Sequence, residues 1–412
     1  MKFDIKINSL QTFYRLFKAF QSLAPLRLFA PLAVFLGIFI CFALVLKPEI
    51  FIILHQFLFA KIFIGLAFSA FLLTAMPVWC EFKHSLKAFK FTLFILLSLA
   101  LFSEFIGFGS ILMSVFWLTL FLQSLYFVIL SKNTKNFSLL FLLFFLFVLE
   151  LLQGLNEVNV LELSYFLGTR LQISFLFALI IGILIISFRI SIVLCNEALQ
   201  KMKPQSLFIG DFITKNLSIF GLFLLIFALL FQQILGFKDE VLAFLCFALA
   251  AFFFSNLKQW LEAGLLGQNY IVIFFCFWLV LSLCFIGLGL DFMNVFGVSL
   301  KSAFIHLLNI ILLLGFSLFV FCIASLRHST LTRFGFDFRL CLIFIFVFLA
   351  AFLRTVFAPG INELLGLDFS GFESFLPAPL FIILPCFFLA LSFILWLFYF
   401  ISFYKKYKFK RE

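Results

Sequence analysis

Four histidines occur in the chain, His55, His84, His306 and His328, and any chemistry that needs imidazole must be built from them. Neutral imidazole serves iron and copper alike as a ligand. His55 falls at the start of one long apolar stretch, and His306 about one turn inside the start of another. If both stretches are helices rising 1.5 Å per residue, the two rings reach similar depth, which makes them candidate ligands of one metal. His328 closes the stretch that His306 opens, roughly 33 Å further along a straight helix. It is a candidate ligand at the opposite face and cannot reach the same ion. His84 sits in a short polar break and reads as a surface residue.

Three cations stand where charge is expensive. Lys61, Arg189 and Arg354 each interrupt an apolar run, with no acidic residue clearly embedded beside them. A Lys or Arg at the centre of a membrane helix costs about 3 kcal/mol on insertion scales. Arg189 and Arg354 lie within one or two turns of a run's end, so snorkelling to the membrane face is one reading. The other is that they face an anion held in the bundle, such as a carboxylate or a haem propionate. Nine cysteines are present, none in a C-x-x-C pair, and most fall inside or at the ends of apolar runs. That pattern reads as small buried thiols rather than a disulfide framework. Walker loops, H-E-x-x-H, nucleophile elbows and dinucleotide fingerprints are absent.

The elements that must position these groups are transmembrane helices. Of 412 residues, 66% are hydrophobic and 11% charged, and mean hydropathy is +1.27, far from soluble composition. Runs such as "SLLFLLFFLFVLELL" are continuous rather than alternating, which excludes a β-barrel. The expected fold is all-α, a polytopic transmembrane helical bundle of about twelve spans: 27–46, 52–79, 89–103, 107–130, 137–153, 171–195, 216–235, 241–257, 269–290, 302–325, 338–358 and 377–403. Neither a soluble catalytic domain nor an internal repeat is visible.

Apart from Lys61, Arg189 and Arg354 in spans and Lys47, Arg170, Lys238 and Lys301 in one set of loops, all of the 29 Lys and Arg fall in the tails and alternate loops. The positive-inside rule then places both termini in the cytoplasm (N-in/C-in) and the protein in a bacterial inner membrane. The first 25 residues lack a signal-peptide core and cleavage site. Residues 1–26 read as a cytoplasmic amphipathic segment lying on the lipid, 27–403 as one transmembrane domain and 404–412 as a basic cytoplasmic tail. Topology therefore accounts for the net charge of +11, and the lipid bilayer, not nucleic acid, is the expected partner. The 74 phenylalanines read as compositional bias rather than an aromatic cofactor box.

Four stretches resemble the NnrS family of membrane haem–copper proteins linked to nitric oxide. "FLLTAMPVW", Phe71 to Trp79, is close to the family's F-L-L-T-A-x-P-N-W, and His55 stands at the first His of W-H-A-H-E-M-L-F-G. Phe57 and Leu58 replace that motif's second His and its Glu. "RISIVLCNEAL" resembles G-G-R-x-x-P-x-F-T-x-N-A-L through Arg189, Asn196, Ala198 and Leu199. Trp278 fits L-H-x-x-Y-x-W-L-x-L-G, whose His is replaced near Ile273. "SAFIHLLNIILLLGFSLFVFCIASLRHSTLTR" carries both family histidines, at His306 and His328, and "FLAAFLRTVFAP" puts Arg354 on the family Arg. The resemblance implies twelve spans, haem and copper as cofactors, and a role in nitric oxide or nitrosative-stress response. His55, His306, Arg189 and Arg354 would bind the cofactor; His55, His306 and His328 are the metal-ligand candidates. Two other readings stand beside it: a secondary transporter of an anionic solute using Lys61, Arg189 and Arg354, and a membrane assembly partner that binds no ligand.

Overall fold

The computed structural model describes residues 24–81, 85–132, 136–160, 165–202, 207–261, 264–327, 336–365 and 379–406. His84, His328, the N-terminal segment before residue 24 and the end of the basic tail lie outside the described residues. The described chain is helical, with no strand. In order the helices are α1 (Pro25–Leu46), α2 (Pro48–Gln56), α3 (Ile64–Trp79), α4 (Lys87–Glu104), α5 (Gly109–Ser131), α6 (Phe137–Glu157), α7 (Tyr165–Met202) and α8 (Phe212–Leu235). They continue as α9 (Asp239–Leu257), α10 (Asn269–Phe292), α11 (Lys301–Leu308), α12 (Phe316–Arg327), α13 (Phe338–Val356), α14 (Pro359–Leu365) and α15 (Leu380–Lys406). A π-helical turn, Phe57–Phe63, joins α2 to α3, and a second, Asn309–Gly315, joins α11 to α12.

Helix starts follow local chemistry. Pro25 and Pro48 occupy first-turn positions, where a missing N–H costs nothing. Asp211 and Asp337 cap α8 and α13 by accepting from the backbone N–H of Thr214 and Leu340. Gly236 ends α8 in a left-handed conformation, φ 67°.

Among the described residues, eleven helices are long and apolar enough to cross a membrane. The expected span 89–103 forms as α4, 18 residues long, but is not one of them. Lys87, Lys90 and Glu104 leave an uncharged stretch, 91–103, of only about 20 Å against a hydrocarbon core of ~30 Å. The expected span 171–195 is part of a longer helix, α7, of 38 residues. Arg170, expected in a loop, is therefore a buried residue of α7; it donates to Leu229 O at 3.1 Å and to Gln232 Oε1. Gln232 donates in turn to Asp239 Oδ1 at 2.7 Å.

The bundle has an inside and an outside. Three spans, Leu54–Trp79, Leu167–Gln200 and Lys301–Leu326, are 83%, 78% and 72% buried, against 33–61% for the rest. The outer helices surround these three, and the circuit closes where α15 packs on both α1 and α13. Outward positions carry large apolar groups, among them Phe220, Ile234, Phe352 and Phe398, a surface suited to lipid. Inside, Phe277 packs edge-on against Phe316, Phe319 and Phe344 at 5.8–6.1 Å between centroids, as the packing reading of the phenylalanines expects.

Helix approach sets one sharp requirement. A Cβ at Gly154 would meet the Ile111 backbone N at 2.8 Å, where α6 crosses the start of α5. Gly154→Val is expected to cost about 1–3 kcal/mol and to lower the melting temperature in detergent. Gly267→Ala, where a Cβ meets nothing within 4 Å, is expected to melt as the wild type does.

Candidate functional site

The two central π-turns pack against each other, and each begins two or three residues after a histidine: His55 is the penultimate residue of α2, and His306 lies in the last turn of α11. π-Turns are rare and recur at functional sites. The rings of His55 and His306 face each other with centroids 5.9 Å apart and planes inclined by 28°. His55 Nδ1 bonds the carbonyl oxygen of Ile52. A carbonyl can only accept, so Nδ1 carries a proton, and in the neutral ring Nε2 is then the nitrogen left to ligate, the arrangement by which metal-ligating histidines are oriented. The matched depth expected for the pair is thus realised as contact.

Both rings line a cavity of about 610 Å³, within the range of small-molecule and cofactor sites. Its wall carries three cations, Lys61, Lys301 and Arg354, and among the described residues no aspartate or glutamate. Arg354, on the last turn of α13, stacks over the Phe381 ring at 5.0 Å. Its Nη1 is buried without a hydrogen-bond partner among the described residues, as is Oδ1 of Asn309, which lines the same space. A polar guest in the cavity would pair both.

The centroid spacing is short enough for one guest in the cavity to reach both rings. Among the described residues no group of three or more His, Cys, Asp or Glu is placed to hold a metal ion. Two imidazoles complete a haem iron, whose ring supplies the other four nitrogens, but leave a bare copper ion short of ligands. The residues present therefore fit haem better than copper.

Arg189 is not brought to this cavity. It stacks over Trp79 at 4.3 Å and donates to Asn136 Oδ1 at 2.7 Å. Trp79 ends α3, about 36 Å along that span from His55, so Arg189 belongs to the opposite face of the bundle. Lys61 corrects a second expectation, because an acid is embedded beside it. Its ammonium lies 2.6 Å from Glu150 Oε1 and donates to Ser110 Oγ at 2.6 Å. Glu150 is fully buried on α6. Its signal was in the sequence, as the one acid inside the run "FLLFFLFVLELL", and an ionisable residue inside a span is a functional candidate by default.

Fold and site together define a polytopic helical membrane protein with a two-histidine cavity inside the bundle. The family model described as NnrS protein matches residues 17–408, and the chain belongs to the NnrS family. No curated protein and no solved structure matches it.

Removing Lys61 leaves a buried carboxylate without its counter-charge. Lys61→Met is expected to cost about 3–5 kcal/mol, and Lys61→Met with Glu150→Gln to recover most of that. Thermal unfolding of the two variants in one detergent checks the difference; equal losses would mean the pair is not coupled.

Proposed function

We propose that this NnrS-family protein binds haem between His55 and His306 and acts in the cell's response to nitric oxide or nitrosative stress. The carrying observation is the pair of facing imidazoles, 5.9 Å apart, on the wall of a cavity with cationic lining. Arg354 and Lys301 would meet the haem carboxylates, with the guanidinium offering its unpartnered Nη1. Bound haem would supply an iron centre able to take up diatomic gases or pass single electrons. The chain's own residues hold it by two ring nitrogens, neutralise its acidic groups and keep bulk water from it. The nitric oxide role rests on the family resemblance. Copper is the weaker cofactor reading, since the described residues offer it two imidazoles and no third ligand. With α4 counted as a twelfth crossing, the charge asymmetry of the loops supports both termini in the cytoplasm of a bacterial inner membrane, with the cavity toward the outer side.

A second reading has its own support. Three cations on one cavity wall would also suit a small anionic solute in transit. Uptake into vesicles abolished by Arg354→Gln, in a protein that shows no pigment, is the outcome that favours it.

The first test is the absorption spectrum of detergent-purified protein from haem-supplemented cells. A Soret band is expected, lost or strongly shifted in both His55→Ala and His306→Ala. Arg354→Gln is expected to keep the band position and weaken haem retention about tenfold or more, as loss of a charge-assisted hydrogen bond implies. A colourless wild type would overturn the haem reading.

A further inference from the structure

The cavity wall carries a charged group that haem binding does not use. Lys61, on the π-turn after His55, lines the cavity together with Gln153. Behind it stands Glu150, buried, at 2.6 Å. Glu157 lies about 10 Å further along α6, at its end, with its side chain 33% exposed. Gln153 lies between the two acids and donates to Glu157 Oε1 at 3.0 Å, and Lys61 Nζ is 4.0 Å from that same oxygen. Glu104, the last residue of α4, faces the same group electrostatically. A Cβ at Gly109 would come within 2.1 Å of Glu104 Oε2, so the glycine leaves that carboxylate its room.

The titratable groups of this cluster are one ammonium and three carboxylates, with Ser110 and Gln153 as neutral partners. A structural ion pair needs one carboxylate. Here a second carboxylate, Glu157, also lies within 4.0 Å of the ammonium. Hydrogen bonds and ion pairs also link Glu157, at the end of α6, through Gln153 and Lys61 to the cavity wall.

We propose that Lys61 and Glu150 form a proton-exchange site serving the cavity, reloaded from the membrane face through Glu157 and Glu104. Lys61 Nζ gives a proton to a basic group in the cavity, its N–H bond breaks, and a neutral amine remains beside the Glu150 carboxylate. A proton taken from water by Glu157 or Glu104 passes to Glu150 and then to Nζ, which restores the ion pair. One proton moves from the face to the cavity, and no electrons change hands. The proposal rests on the cavity being the working site, whatever occupies it.

Infrared difference spectroscopy of the full-length protein, through a pH series and on transfer from H₂O to D₂O, tests this without haem. A protonated-carboxyl band is expected to grow in as the pH is lowered, to exchange rapidly, to be missing in Glu150→Gln and to persist, shifted, in Glu150→Asp. Its exchange should slow about tenfold or more in the double variant Glu104→Gln, Glu157→Gln. Ser110→Ala, which removes only a neutral partner of Lys61, should move the band, and this variant keeps the test open if Glu150→Gln fails to fold. No such band at any pH where the protein is folded, or exchange unaffected by the double variant, overturns the proposal. A colourless protein that shows the band removes the haem reading and leaves this one; a Soret band without it does the reverse.

Discussion

A charge inside a lipid-embedded bundle must find a partner, because the low-dielectric interior makes an unpaired one cost several kcal/mol. That constraint organises this molecule. Lys61 meets Glu150, Arg170 meets Gln232 and through it Asp239, and Arg189 meets Asn136 and the face of Trp79. Each of these contacts joins different helices and fixes their rotation about their own axes. The shielding of the three central spans by the outer ones is what makes such pairing necessary. Arg354 lines the cavity that holds the two histidines, and its buried Nη1 pairs with nothing among the described residues.

The π-turns give the constraint its local form. Each inserts a residue's worth of extra backbone into a central span next to a histidine. The first carries Lys61 and the second carries Asn309, both on the cavity wall. A regular α-helix keeps one face toward its neighbours throughout. A π-turn shifts that face partway along, so the same span can pack apolar residues below and present polar ones above.

Much of this was legible in the sequence. Apolar runs and loop charges predicted the helices and their order, since span length is dictated by bilayer thickness. The equal depth of His55 and His306 followed from rise per residue, and the structure turned equal depth into contact. What stayed hidden depended on which helices are neighbours. Arg189 and Arg354 look alike in sequence, yet one faces Trp79 and the other the histidines, because lateral position is set by packing that no single run encodes. Glu150 was visible as a letter, but its pairing with Lys61 belongs to the contact between two helices far apart in the chain. The π-turns had no signal of their own, since a lysine or an asparagine in an apolar run does not mark a change of helical pitch. α4 forms where a span was expected, and its charges leave it a shorter uncharged stretch than the other spans have.

The central claim is that His55 and His306 hold one iron between them. Electron paramagnetic resonance of the oxidised, haem-loaded protein tests it most directly, because the signal reports the axial ligands themselves. The account predicts a low-spin ferric signal of a bis-imidazole centre, converted to high spin by removing either histidine alone. A high-spin signal in the wild type, unchanged in His55→Ala, would contradict it.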